Sequence, residues 1–110
     1  MTVTLVSSGV QTTSLGTEIV VVQHTAANSY VFVVNSTALA NADAVEIAVK
    51  VQVNSSPNAG LAYIGAYRHI QTMPVKLSIP IPLAAGHLLQ CGIKQTEGTA
   101  RSFPWELISL

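Results

Sequence analysis

The sequence predicts an all-β fold: a single antiparallel β-sandwich, jelly-roll-like, of about eight strands over residues 1–110. Three observations carry that expectation. Apolar and polar residues alternate with a period of two in nearly every segment. Clusters of turn-forming residues separate those segments at short intervals. No stretch has the spacing of an amphipathic helix, and strands without helices pack as a sandwich or a small barrel.

Leu5, Val10 and Leu15 point to strand structure before residue 18. Residues 18–25 and 29–36, rich in Val, Tyr and Phe, read as two strands, and the short Ala26-Ala27-Asn28 between them suggests a hairpin. Residues 37–42 have the composition of one helical turn but are too short for a helix, and read as a linking turn. Residues 44–53 give the clearest strand, with Val45, Ile47, Val49, Val51 and Val53 on one face and Ala44, Glu46, Ala48, Lys50 and Gln52 on the other.

The run Asn54-Ser55-Ser56-Pro57-Asn58-Ala59-Gly60 is the strongest loop signal in the chain. Residues 61–71 resume as a strand with Tyr63, Gly65, Tyr67 and His69 on one face. Residues 73–83 follow, with Val75, Leu77, Ile79, Ile81 and Leu83 expected inward. Pro74, Pro80 and Pro82 lack backbone donors and fall on alternate positions, which predicts an edge strand whose open side resists further pairing. Residues 88–95 and 103–110 supply the last two strands across the turn-like Thr96-Glu97-Gly98-Thr99-Ala100, with Phe103, Trp105 and Leu107 on one face.

Composition bounds the function. Only 9% of the residues are charged while 49% are hydrophobic, against roughly 25% charged in an ordinary soluble domain. The wet surface must therefore be made mostly of hydroxyls and amides, which lose much less than charges do on leaving water. Such a surface suits a protein that lies against other copies or a larger assembly. The formal charge is zero, and Lys50, Arg68, Lys76, Lys94 and Arg101 are scattered, so no basic face for nucleic acid is expected. No apolar run approaches a membrane span, and the first residues lack the pattern of a secretion signal.

Chemistry is sparse. His24, His69, His87 and Cys91 are the candidate transition-metal ligands, but the four-residue spacing of His87 and Cys91 suits a helix and this segment reads as a strand, so no metal or other cofactor is expected. Cys91 alternates with Leu89 and Ile93 on a core face, the ordinary place for an unpaired cysteine. No serine sits in a Gly-x-Ser-x-Gly elbow, and no Gly-rich phosphate loop opens a helix. A non-enzymatic protein is the expectation. Tyr63, Tyr67, Arg68 and His69 form a candidate interaction patch, for a protein or a glycan, against the plainer reading that the tyrosines roof the core. Phe103 and Trp105, core residues by default, are a second candidate as an anchor into a neighbour.

The stretches Ala62-Tyr63-Ile64-Gly65-Ala66-Tyr67, Pro74-Val75-Lys76 and Lys94-Gln95-Thr96-Glu97-Gly98-Thr99-Ala100-Arg101-Ser102-Phe103-Pro104-Trp105-Glu106 resemble small virion proteins of tailed bacteriophages. The resemblance implies a virion component made in the host cytoplasm, such as a capsid decoration or cement protein that oligomerises and binds the major capsid protein or other virion proteins. A tail or fibre-base component is the alternative within that class, and a small carbohydrate-binding module the alternative outside it.

Overall fold

The computed structural model describes residues 2–53 and 58–110, so most of the loop expected at 54–60 lies outside the described residues. Among the described residues nine strands are seen: β1 (Thr4–Thr12), β2 (Glu18–His24), β3 (Asn28–Asn35), β4 (Ala44–Gln52), β5 (Gly60–Arg68), β6 (Val75–Leu77), β7 (Ile81–Leu83), β8 (Leu88–Glu97) and β9 (Ser102–Ser109). They form two antiparallel sheets. The first has the order β1-β9-β3-β6, with β7 continuing alongside β3, and the second has the order β2-β8-β4-β5. With β6 and β7 counted as one interrupted strand, successive strands cross between the sheets except at the β4–β5 hairpin, which is the eight-stranded jelly-roll order.

The period-two pattern builds the core. Tyr30, Phe32 and Val34 of β3 and Phe103, Trp105 and Leu107 of β9 face Val45, Ile47 and Val49 of β4 and Leu89, Cys91 and Ile93 of β8. Each large apolar side chain removed from water here contributes roughly 1.5–3 kcal/mol. Phe103, Leu107, Cys91 and Ile93 are fully buried, and Phe32 packs on Trp105 with ring centres 6.4 Å apart.

Two expectations are corrected. The segments 18–25 and 29–36 do not form a hairpin: β2 pairs with β8, and β3 pairs with β9, β6 and β7. The residues between them bridge the two sheets. Sheets lie only about 10 Å apart, so a link this short fits an arch as well as a hairpin. The arch is fixed by the Tyr30 hydroxyl donating to the Ala26 carbonyl at 2.5 Å and by the edge-on stacking of His24 on Tyr30 at 5.3 Å.

The second correction concerns residues 73–83. Ile81 and Leu83 point inward, but Val75, Leu77 and Ile79 are more than half exposed. The phase changes at Ser78, whose hydroxyl accepts from Phe32 N at 2.9 Å while its own N–H donates to the Phe32 carbonyl. That break turns Lys76 toward the second sheet, where its ammonium sits 4.6 Å from the centre of the Tyr67 ring. It also prevents the three prolines from acting together. Pro74 faces β3, where its carbonyl accepts from Ser36. Ser29 accepts from Leu110 on the β9 side, so backbone alternation turns Pro82, between Ile81 and Leu83, to the open side. As expected, β6 and β7 lie at an edge.

The other three edge strands carry one extra residue each: Val6 in β1, Val21 in β2 and Ala62 in β5. A bulge twists an edge away from regular pairing. It also explains why the consecutive Val21 and Val22 both pack against the core. All four edges are thus blunted, which leaves faces and loops as the surfaces for contact with other proteins.

Candidate functional site

The two outer faces differ in chemistry. On the second sheet, Glu18, Lys94 and Glu46 follow one another across β2, β8 and β4. Glu18 reaches over Gly92 to pair with Lys50 at 2.9 Å. Arg68 makes a two-pronged ion pair with Glu97, one arm at 2.9 Å. This face combines two ion pairs with the exposed aliphatic side chains of Val20, Leu61 and Ile64.

On the first sheet, the outward rows run Leu5–Ile108–Val31 and Ser8–Glu106–Val33–Leu77, followed by the separate pairs Val10–Pro104 and Asn35–Val75. Leu5, Val10, Val75 and Leu77 are between 51% and 67% exposed, a density of open aliphatic side chains that marks an interaction surface. Glu106 is the only charged residue in these rows, and no basic group lies within ion-pair distance of it among the described residues.

Pro104 shapes this face. Arg101 accepts from Thr13 on the β1 side and Leu110 donates to Ser29 on the β3 side, so alternation along β9 turns the Pro104 nitrogen toward β3. Having no N–H, it cannot continue the ladder, and the β9–β3 pairing stops at Val34↔Trp105. A concave pocket of about 450 Å³ opens there, walled by Val10, Val33, Val75 and Pro104, with Ser8, Asn35 and Glu106 as its polar groups.

The six residues singled out from the sequence do not form one patch. Tyr63 and Tyr67 are half-buried on the inner face of β5 and pack against the core. Burial and the neighbouring Tyr63 hydroxyl push the Tyr67 phenol up to about 12. Arg68 points the other way, onto the outer face. His69 lies in the following turn, with φ at 62° and its Nδ1 accepting from Ala42 N at 2.9 Å. Phe103 and Trp105 are core: Phe103 is fully buried and Trp105 is 8% exposed. The Trp105 indole lies against Gly9, where a Cβ would come within 3.1 Å of the ring, so neither aromatic is available as an exposed anchor.

The cysteine and the acids are likewise occupied. Burial pushes the Cys91 thiol up to about 12, far from a nucleophilic thiolate at neutral pH. Among the described residues no three His, Cys, Asp or Glu side chains are grouped as a metal site requires. Sequence reasoning missed a buried polar cluster at one end of the sandwich. Asp43, 2% exposed, accepts from Ala40 N at 2.9 Å, Thr99 N at 3.1 Å and Arg101 Nε at 2.8 Å. The Ala40 N–H does most to hold its carboxyl below the usual value, helped by Thr99 and Arg101 and opposed by burial. Beside it Gln95, fully buried, accepts from the Thr13 hydroxyl and Arg101 N and donates to the carbonyls of Glu97 and Thr99. The cluster ties the β1–β2, β3–β4 and β8–β9 loops together. Every polar atom buried in it is satisfied among the described residues, so its role is to hold loops.

Ala42, next to Asp43, has φ at 74°. A left-handed conformation costs a residue with a Cβ about 1–2 kcal/mol, while glycine adds unfolded-state entropy worth about 0.4–1 kcal/mol. Ala42→Gly is therefore expected to stabilise the protein by about 0.5–1 kcal/mol, read as a higher urea midpoint with an unchanged slope. A lower midpoint would contradict the strain assigned to this loop.

Comparison with protein-family models, with curated proteins and with solved structures finds no match. The case for function rests on the two faces and the pocket.

Proposed function

We propose that this chain is a non-enzymatic structural protein of a virion, a capsid decoration or cement protein that is made in the host cytoplasm, oligomerises and binds the head lattice. The observation that carries the docking part is the outer face of the first sheet: four open aliphatic side chains, two of which, Val10 and Val75, wall a concave pocket, on a scaffold whose edges are all blunted. The virion part rests on the resemblance of residues 62–67, 74–76 and 94–106 and on the low charge of the chain. Copies repeated by symmetry would add weak contacts into strong retention. A protein placed this way bridges capsid subunits and stabilises the shell against internal pressure.

The structure favours this over a glycan site, because the Tyr63, Tyr67, Arg68 and His69 side chains diverge onto the inner face, the outer face and a turn. The test uses particles stripped of the protein and then re-incubated with it. Wild-type protein is expected to co-sediment and to raise the temperature of genome release. Leu77→Lys, at a 55% exposed position, should fold normally and bind at least about tenfold more weakly. Undiminished binding by Leu77→Lys, or unchanged genome release on re-addition of the wild type, would reject the reading.

A further inference from the structure

We propose that the pocket beside Pro104 receives an arginine side chain from a different protein, with Glu106 as its counter-ion. The inference rests on the reading of this face as a docking surface and names the chemistry of what docks. Glu106 is the single charge on an otherwise uncharged face, and covering it without a cation would strand a carboxylate away from water, which is strongly unfavourable. The partner must therefore bring a positive group to that point. The walls are aliphatic, from Val10, Val33, Val75 and Pro104, and Ser8 lies opposite Glu106 in the β1–β9 register. Arginine matches this combination. Its methylene stem lies on apolar walls, and its planar guanidinium can bind the carboxylate through two donors while a third reaches a hydroxyl.

A second copy of this chain does not meet the requirement. Lys50 is paired with Glu18, Arg68 with Glu97 and Arg101 with Asp43. Lys76 lies over Tyr67, and Lys94 stands between Glu18 and Glu46 in register. Both arginines of the chain are thus held in ion pairs, and Lys94, which makes no ion pair among the described residues, offers a compact ammonium and not the planar fork that the pocket suits. The occupant is accordingly a basic residue on an exposed segment of another protein.

The direct test titrates the full chain with n-propylguanidinium, the arginine side chain from Cβ outward, and with its neutral isostere n-propylurea, followed by amide chemical shifts. Saturable shifts at Val10, Trp105 and Glu106 are expected for the guanidinium in the millimolar range, with affinity lowered about threefold to fivefold by Glu106→Gln or by use of the urea. Absence of localised shifts, or equal affinity for Glu106→Gln and for the urea, would overturn the proposal. Particle binding separates this inference from the function it rests on. If Leu77→Lys abolishes binding while Glu106→Gln and Glu106→Arg bind as the wild type, the arginine pocket is wrong and the docking face stands. If all three bind normally, both are wrong.

Discussion

Replacing Asp43 by alanine is expected to lower stability by about 3 kcal/mol, because the change leaves the N–H groups of Ala40 and Thr99 and the Arg101 guanidinium without their acceptor. For a domain of this size that corresponds to a fall in Tm of roughly 10–15 °C. Asp43→Asn cannot repair the site. All three partners are donors, so whichever way the amide is turned, its NH2 faces another donor, and about half of the loss should remain. The pH dependence separates charge from shape. The folded-state pKa of Asp43 is lowered from its ordinary 3.8, so its contribution is fully present above about pH 4 and is lost as pH falls through the folded-state value. The stability gap between wild type and Asp43→Ala should therefore be widest near neutrality and shrink in acid. A gap that is constant from pH 7 to pH 2.5, measured by urea unfolding, would show that the carboxylate charge contributes nothing.

The sandwich was legible because burial imposes a parity on strands. Val45, Ile47 and Val49, and likewise Phe103, Trp105 and Leu107, are apolar at alternate positions and were placed on the right face by that rule alone. Which strand pairs with which was not legible: β2 and β3 have similar Val-rich sequences, and three residues between them serve an arch or a hairpin equally. Parity also fails wherever the chain slips by one residue. Ser78 shows this most clearly, since a serine hydroxyl in place of a ladder bond reverses the facing of Val75 and Leu77, and nothing in the local sequence announces it. Bulges at Val6, Val21 and Ala62 act in the same way.

The candidate site was legible only in outline. The low charge suits a surface that lies against other molecules, and of the two readings open for Tyr63 and Tyr67, an interaction patch or a roof over the core, the structure has the second. The outer face becomes visible only with β1, β3, β6 and β9 side by side, since its rows join residues as far apart in the chain as Leu5 and Ile108. Pro104 was the available signal. A proline in a strand that proves central must interrupt pairing on one side, and here the interruption is the pocket. The Asp43 cluster had a comparable signal in Gly98, which follows Glu97 at the end of β8 and precedes the Thr99 whose N–H Asp43 accepts.

Gly98 carries the second large prediction. Its φ is 90°, and a Cβ there would lie 1.9 Å from Asp43 Oδ1 and 2.8 Å from the Asp43 Cα. Gly98→Ala should therefore cost about 3 kcal/mol, combining about 1–2 kcal/mol for the left-handed backbone with the strain of forcing a methyl group into filled space. Gly16 gives the control. Its φ is 78° but nothing lies within 4 Å of the added carbon, so Gly16→Ala should show the backbone cost alone, and Gly16→Asn less than that because asparagine tolerates this region. Gly98→Asn should be as damaging as Gly98→Ala, since tolerance of the dihedral does not remove the overlap. The two large effects are also coupled through one atom. Once Asp43→Ala has removed Oδ1, the methyl at position 98 loses its closest clash, and the double variant should be less destabilised than the sum of the singles by at least about 1 kcal/mol. Simple additivity in that cycle would mean that Gly98 is required for its backbone conformation only, and not for room beside the carboxylate.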